Sequence, residues 1–548
     1  MLAIRVRPAG TLAAALLSVC FLQAQPAARG PIVNAGEIHD ELHIAAGSEA
    51  AVKEYFPSFL DYQDLIMFHP KFGYYGSGRV SFMDDYQTFP IVLAPYFGQM
   101  IAQQIFHMWE GMRRAGTLAP QDRFTIAEFG AGDGSMAESI LTYIRGQGEQ
   151  SSDPGWREFA AQILYVCYDR SPALNYIQRK RNSRFGKMFD ARPGDATDPV
   201  ATIPAGSLKG VVLSNELPDA FSVHKVILSA GSVPEVAFVA PWILRKSWDK
   251  LKPSVPASAA ALVENGSRQV HDRFLSGRGA DRVYLTRAAF VGLLESLISS
   301  KNYESDVETL QFQEIYVPAS LIPELAAHLR RYARLYADEL AKAGRGVVTY
   351  INLGEEKFVQ GSGRILKAGY VMTIDYGDNW DGILEQDVHP HLRTYGPEHR
   401  LENSDPTAFD PDGTPEERDT SDPYRGPTLN DITTDVNFSL MDAEGRLSGL
   451  KTAYFGRQAA LQSGTTVSLK TPPPERLSRI DLVNEFNSWA ADFASDDNFK
   501  LMIQQKDDTD SRYRYPDDTP EALGLPESQM SAAQRQKAAQ IAKAFSAL

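Results

Sequence analysis

Apolar and polar positions along the chain fall into two recurring patterns: short continuous apolar runs of strand length, and longer stretches with apolar residues three or four apart. Phe124–Phe129 is a run of the first kind. It ends at Gly130-Ala131-Gly132-Asp133-Gly134-Ser135, after which Met136, Ile140 and Ile144 recur four apart. This order predicts a strand, a glycine turn and a helix. Further β-rich runs at 163–168, 211–214 and 370–374 end at Asp169, at Asn215-Glu216 and at Asp375-Tyr376-Gly377. Between Glu37 and Glu110 the pattern predicts helices joined by an aromatic, Gly-rich loop, with Phe97, Ile101, Ile105 and Met108 on one helical face. Strands alternating with helices predict an α/β fold with a Rossmann-like sheet. Such a sheet binds ligands outside the carboxyl ends of its strands, so runs that end in acids would gather those acids around one crevice.

The same reading divides the chain. Residues 121–230 and 345–380 are expected to form the Rossmann-like core, preceded by a helical and loop region at 31–120. An insertion is expected at 231–344, with helical spacing of Leu325, Leu329, Tyr332 and Leu340. Residues 381–505 are read as a long loop and a C-terminal substrate-side region, the loop being rich in Pro, Asp and Gly. Residues 506–548 form a tail ending in an amphipathic helix with Ile541, Phe545 and Leu548 on one side. Residues 1–30 are read as a targeting segment. Arg5 and Arg7 precede an apolar run at 12–22, too short to span a bilayer, and Leu22-Gln23-Ala24 offers a small residue for cleavage. That resembles a secretory signal peptide. A mitochondrial transit peptide also fits, since the first acidic residue is Glu37; an uncleaved anchor or a misassigned start are the other readings, with mitochondrial or cytoplasmic location as the alternatives to secretion.

Composition narrows the function classes. With 548 residues, 43% hydrophobic and 23% charged, burial of a large core is expected. A formal net charge of -14 argues against a protein that tracks nucleic-acid phosphates. The two cysteines, Cys20 and Cys167, support neither a disulfide framework nor a cysteine zinc site. His389, His391 and His399 lack a clear ligand set, and His39 and His43, four apart, read as an exposed helix face; no metal is expected.

The strongest local signal is Glu128-Phe129-Gly130-Ala131-Gly132-Asp133-Gly134. Glycines let the backbone take positive φ and approach a ligand, and the helix start beyond offers free N–H groups to an anion. Glu128 suits a ligand that also carries an ammonium, as the amino-acid end of methionine does. A plain tight turn and a dinucleotide site are the rival readings. The dinucleotide pattern expects a third glycine at Ser135 and an acid about 20 residues on, whereas Asp169 lies 39 residues after Gly130. A carboxylate at Asp169 can accept from both hydroxyls of a ribose, and Asp195 after the next strand could meet an adenine amino group, or stand in a surface turn. Glu216 and Asp219 would lie near a reacting centre, or cap the next helix.

Taken together, these segments resemble the MidA family of methyltransferases over roughly residues 64–458. The markers occur in the family's order: Asp64-Leu65-Ile66-Met67-Phe68-His69-Pro70-Lys71-Phe72-Gly73-Tyr74-Tyr75, Asp85-Tyr86-Gln87-Thr88-Phe89-Pro90 with Phe97-Gly98, the glycine turn, Asp169-Arg170-Ser171-Pro172, Asn215-Glu216, Asp375-Tyr376-Gly377, and Asp431-Ile432-Thr433-Thr434-Asp435-Val436-Asn437-Phe438. The sequence departs from the family at Ile91, Pro218, Ser222 and around Gln458. The resemblance implies a class I Rossmann-like methyltransferase that uses S-adenosyl-L-methionine, held by Glu128, Gly130, Gly132, Gly134, Asp169 and Asp195. It implies a protein substrate methylated on arginine, a respiratory-complex subunit among the candidates. An arginine side chain stays protonated in water, so carboxylates must hold it and accept a proton as the new bond forms. Glu216 and Asp219 are the expected catalytic pair, with Asn215, Asp375, Tyr376, Asp431 and Asp435 on the substrate side. A small-molecule or carboxyl O-methyltransferase, and a non-catalytic assembly factor retaining the fold, are the alternatives.

Overall fold

The computed structural model describes residues 29, 31–32, 34–80, 88–275, 279, 281–380, 392–395, 422–507, 509–510, 521, 523 and 530–548. The expected targeting segment, the Asp85-Tyr86-Gln87 marker, His389, His391, His399 and most of the 381–430 loop lie outside them. In chain order the strands are β1 (Phe124–Phe129), β2 (Ile163–Asp169), β3 (Phe189–Pro193), β4 (Leu208–Asn215), β5 (His224–Leu228), β6 (Glu235–Leu244), β7 (Arg282–Tyr284), β8 (Gln311–Pro318), β9 (Val347–Ile351), β10 (Leu366–Asp378), β11 (Leu392–Tyr395), β12 (Asp431–Thr434), β13 (Val436–Asn437), β14 (Leu450–Arg457) and β15 (Phe499–Lys506).

The central sheet has the order β3-β2-β1-β4-β10-β15-β14. Strands β3 through β10 run parallel, and β15 lies antiparallel to both its neighbours. The chain winds outward from β1 to β3 and then returns to place β4 on the other side of β1, so the order reverses between β1 and β4. This is the expected Rossmann-like α/β architecture. Period-two alternation sorts each strand's side chains. Phe124 and Ile126 pack with Ile101 and Ile105 of the helix Tyr96–Ala115 and with Ile140 and Ile144 of the helix Ser135–Gln150. Ala127 and Phe129 pack on the opposite face with Phe358 and Met441. Strands β14 and β15, in the region read as loop and substrate side, complete the sheet. Their short apolar stretches need β10 beside them to be recognised as strands.

A second, antiparallel sheet is inserted between β4 and β10. Strand β6 pairs with β5 and β7 along one edge and with β8 along the other. Strands β5 and β9, which flank the expected 231–344 insertion, pair with each other and therefore belong to this sheet. The helix Phe59–Phe68 is capped by Ser58 and Asp61 and buries Phe59, Tyr62, Ile66 and Met67 against Ile227, Trp248, Phe290 and Phe312. The buried Lys225 pairs with Glu314 at 2.7 Å, and Glu314 also accepts from Tyr316, Tyr424 and the His39 N–H. The closing helix is Ala532–Ser546, with Ile541 and Phe545 packed among Leu329 and Leu340. His39 and His43 do not share a helix face: their backbone is irregular, and the His39 ring packs 4.7 Å from Tyr424. No described helix is long and apolar enough to cross a membrane.

Two glycines let the middle strands approach. Gly210 in β4 and Gly369 in β10 have φ of 143° and 137°. A Cβ on Gly210 would stand 2.0 Å from the Thr125 carbonyl oxygen, and one on Gly369 would stand 1.9 Å from that of Gly210. Backbone atoms inside a sheet cannot move aside as a side chain can. Gly369→Ala is therefore expected to cost more than about 3 kcal/mol, in the range of severe core lesions, read by denaturant unfolding. A stability within about 0.5 kcal/mol of wild type, the usual effect of a neutral surface change, would show that the strands do not need this contact.

Candidate functional site

The glycine turn after β1 is built as its sequence demands. Gly130, Gly132 and Gly134 have φ of 70°, 51° and 79°, values that disfavour any residue with a Cβ. The turn is held from outside by the helix Pro172–Asn182: Gln178 Nε2 donates to the Gly132 carbonyl at 2.8 Å, and Asn182 Nδ2 to that of Gly134 at 3.0 Å. Beside it, at the carboxyl ends of β1, β2 and β4, lies a cleft lined by Gly130, Gly132, Asp169, Gly194, Asp195 and Glu216 among others. Phe68, Tyr75, Tyr168, Leu174, Leu217 and Phe221 supply its apolar walls.

The expected cofactor residues divide into two sets. Gly130, Gly132, Asp169 and Asp195 line this cleft. Glu128 and Gly134 are not among its lining residues. Alternation along β1 turns Glu128 to the face covered by the two long helices. There it is buried and accepts from the Tyr165 hydroxyl at 2.9 Å and the Cys167 thiol at 3.5 Å. Burial pushes its pKa up to about 7 against the pull of those two donors. Gly134 caps the helix Ser135–Gln150, and a Cβ there would meet Asn182 Nδ2 at 2.9 Å. Asp169 Oδ1 accepts from the Ser171 N–H at 2.8 Å. Burial raises the Asp169 pKa to about 7, opposed by Ser171, Gln178 and Arg170. Asp195 accepts from the Thr197 N–H and hydroxyl. A glycine cradle, a carboxylate at the end of β2 and apolar walls of nucleoside size together fit an adenosyl group with an amino-acid tail.

A second group of acids stands at the ends of β4 and β10. Register pairs Ile374 with Asn215, which brings Glu216 and Asp375 to the same end of the sheet. Glu216 takes φ of 47°, unusual for a residue with a side chain; its N–H bonds the Ile374 carbonyl at 2.8 Å and its Oε1 accepts from Asn215 Nδ2 at 3.0 Å. Asp375 is buried and accepts from the N–H groups of Leu217, Asp219 and Tyr376. Asp219 lies in a short turn at 218–220, not at the start of a long helix. Asp431 heads β12 and accepts from the Tyr75 hydroxyl at 2.8 Å. Asp435 pairs with Arg393 at 2.6 Å, and the Arg393 guanidinium lies 5.1 Å from the centre of the Tyr376 ring.

These carboxyls raise one another. Burial, then Asp219 and Asp431, pushes Glu216 up to about 8. Asp219 rises to about 7 through burial, held back by the Tyr376 hydroxyl and backbone N–H groups. Asp431 rises to about 7 through burial and Asp219, and Asp375 well above its ordinary value through burial, Asp219 and Glu216. Such shifts favour the protonated, uncharged forms. The arrangement suits a cation that arrives, displaces those protons and ionises the group.

The sequence reading did not assign Phe68, Tyr75 and Arg170 to the site, although all three sit in the family-like motifs. Phe68 and Tyr75 stack with ring centres 5.9 Å apart over the cleft. The Ser171 hydroxyl donates to the Gly76 carbonyl. Arg170 lies 4.7 Å above the Phe68 ring and bridges Asp64 at 2.9 Å and Asp195 at 3.5 Å. The sequence signal was the placing of Phe68 and Tyr75 in one motif and of Arg170 beside Asp169; the fold-back of residues 72–76 onto the cleft is a tertiary fact.

Comparison with known proteins follows from this geometry. Residues 100–456 match the family described as "Putative S-adenosyl-L-methionine-dependent methyltransferase". Among solved structures the chain is similar to a COG1565 superfamily member from Burkholderia thailandensis bound to S-adenosyl-homocysteine, at 19% identity and a TM-score of 0.49, over 85% of this chain and 93% of that one. A native structure of a COG1565 superfamily protein from the same organism gives the same identity and TM-score, over 85% and 92%. A search of curated proteins finds no match.

Two measurements check the site's electrostatics. Ribose hydroxyls donate to an ionised Asp169 better than to a protonated one, so affinity for S-adenosyl-homocysteine should strengthen as pH rises through about 7. Asp169→Asn should weaken binding about tenfold at pH 8, roughly the 1.4 kcal/mol of one strong hydrogen bond, and flatten that slope; calorimetry that finds the slope unchanged would remove Asp169 from the site. The acid cluster has the opposite effect on stability. Groups whose folded pKa lies above the unfolded value stabilise fully at low pH and lose that contribution as pH climbs through the folded pKa. The free protein should therefore melt at lower temperature at pH 8.5 than at pH 6. Glu216→Gln should recover on the order of 1–3 kcal/mol at the higher pH; an unchanged or lower melting temperature there would mean Glu216 is not strained by its charge.

Proposed function

Because the chain belongs to this family and is an S-adenosyl-L-methionine-dependent methyltransferase, we propose that its acceptor is the guanidinium of an arginine side chain in a protein. The observation that carries this reading is the acid group Glu216, Asp219, Asp375 and Asp431, in which Glu216 lines the cleft, the other three are buried, and the protonated form is favoured in each.

In this reading Gly130, Gly132, Asp169 and Asp195 hold the donor, Arg170 and Phe68 close over its nucleoside end, and Glu128 and Gly134 support the turn from behind. When bound, the donor supplies an electrophilic methyl group whose bonding pair returns to sulfur on transfer. The protein's own residues do the rest. Glu216, on the cleft wall, and Asp219 beside it bind the guanidinium and orient one of its nitrogens. As that nitrogen gains the methyl it sheds a proton, which one of these carboxylates accepts, and the product guanidinium keeps its charge. Asn215 orients Glu216, while Asp375 fixes the turn that carries Asp219 through the N–H groups of Leu217 and Asp219. Tyr376 and Asp431 shape the acceptor side. Preorganised orientation of this kind can contribute about 7–11 kcal/mol to a bimolecular step.

Labelled donor, purified protein and arginine-containing peptides test the proposal. Acid hydrolysis should yield methylarginine, and Glu216→Gln and Asp219→Asn should each lower turnover at least about 100-fold, the scale of losing a positioned proton acceptor, with S-adenosyl-homocysteine affinity retained. Label that leaves as volatile methanol on mild base treatment, or that is recovered only in a small extractable product, would replace the arginine reading with carboxyl or small-molecule methylation.

A further inference from the structure

A second cavity shares no lining residue with the donor cleft. It opens between β9, the helix Ala333–Ala343 and the stretch from the end of β12 into the helix Phe438–Arg446. Leu228, Leu340, Val347 and Leu440 give it an apolar body. Trp380 and Tyr336 form an aromatic corner, with ring centres 5.5 Å apart and an interplanar angle of 62°. Its polar members include Glu355, Asp435 and Thr434.

These polar groups are unusual. Glu355 is 2% exposed and has no ion-pair partner among the described residues; it receives one long N–H bond, 3.4 Å, from Asn437. Thr434 is 1% exposed, and its hydroxyl makes no hydrogen bond among the described residues. Asp435 is already neutralised by Arg393, and Glu339 by Lys342, while Arg345 sits at the exposed rim. A buried carboxyl without a cationic partner and a buried hydroxyl without a hydrogen bond, set beside an aromatic corner, cost stability that a cationic ligand offsets. Aromatic faces with one buried acid recognise a flat cation through cation–π contact and a charge-assisted hydrogen bond.

Position adds a second constraint. Leu217 and Ala220 line the donor cleft, whereas Asn352, which lines this cavity, donates to the Pro218 carbonyl at 2.8 Å. The turn that carries Asp219 thus lies between the two chambers. Displacement at a methyl carbon requires the nucleophile to arrive opposite the departing sulfur, so donor and acceptor must approach from different sides. Resting on the arginine reading above, we propose that this cavity is the acceptor subsite, in which Glu355 and Trp380 grip a guanidinium-bearing side chain as it reaches the acid cluster from the side opposite the donor.

Butylguanidine and its neutral isostere butylurea are the probes, titrated by calorimetry into the protein loaded with S-adenosyl-homocysteine. Butylguanidine should bind at least tenfold more tightly. Glu355→Gln and Trp380→Ala should each remove at least tenfold of that affinity, and Leu440→Trp, which fills the cavity, should abolish it. Unchanged S-adenosyl-homocysteine affinity in each variant certifies an intact fold; a variant that loses it is replaced by Thr434→Val, for which a several-fold loss is expected. Equal binding of the two probes, or butylguanidine affinity untouched in the folded variants, overturns the subsite. Kinetics separate it from the wider reading. Methylarginine formed with an unaltered KM in Glu355→Gln and Trp380→Ala defeats the subsite alone. A tenfold rise in KM with kcat within threefold supports it, and absence of methylarginine from wild-type reactions defeats the arginine reading itself.

Discussion

Four carboxyl groups crowded at one end of a sheet, three of them buried and Glu216 on the cleft wall, resist ionising together, and that constraint organises the site. Strands β4 and β10 lie side by side in register, so Glu216 and Asp375 emerge together. Asp219 follows within a turn held by Asp375, and Asp431 arrives on β12 from far along the chain. Each acid is satisfied in part by backbone N–H groups, a tyrosine hydroxyl or an amide, and in each the protonated form gains. The resulting strain is of the kind that functional sites retain at the expense of stability. A cation entering the cluster relieves it, and the same event generates the carboxylates that proton removal requires.

The surrounding architecture keeps that cluster dry. The second sheet and the helix Phe59–Phe68 cover the carboxyl ends of the parallel strands, and the segment after that helix folds down so that Phe68 and Tyr75 become cleft walls. Single hydrogen bonds lock distant segments to each other: Tyr75 to Asp431, Ser171 to Gly76, Gln63 to the Ile432 carbonyl. Water excluded in this way strengthens every charge interaction within. The buried Lys225–Glu314 pair, with two tyrosine hydroxyls on the same carboxylate, does similar work at the base of the cover by pinning residues 37–39 and Tyr424 to the second sheet.

Much of this was legible locally. The run Phe124–Phe129 and the glycine turn beyond it appear where the pattern put them, because a strand buried on both faces is mostly apolar and a turn with successive positive φ values favours glycine. Asp169 closes β2 and Glu216 follows β4 as read, whereas β10 runs on past Asp375 to Asp378. Glu128 shows the limit of such reading. Its place beside the glycines drew it into the cleft, whereas the two-residue period of β1 turns it to the other face, under the helices. His39 and His43 fail likewise, since four-residue spacing means a shared face only if the backbone is helical.

The sequence by itself determined the alternation of strands and helices, the conformation of the glycine turn and the presence of acids at strand ends, because steric limits on φ and the periodicity of apolar burial act over a few residues. Tertiary structure alone decided that β14 and β15 close the sheet, that residues 64–76 fold over the cleft, and that the turn carrying Asp219 lies between two cavities. Those outcomes depend on contacts between residues hundreds of positions apart, and their free energy comes from removing both partners from water at once, which no local pattern encodes.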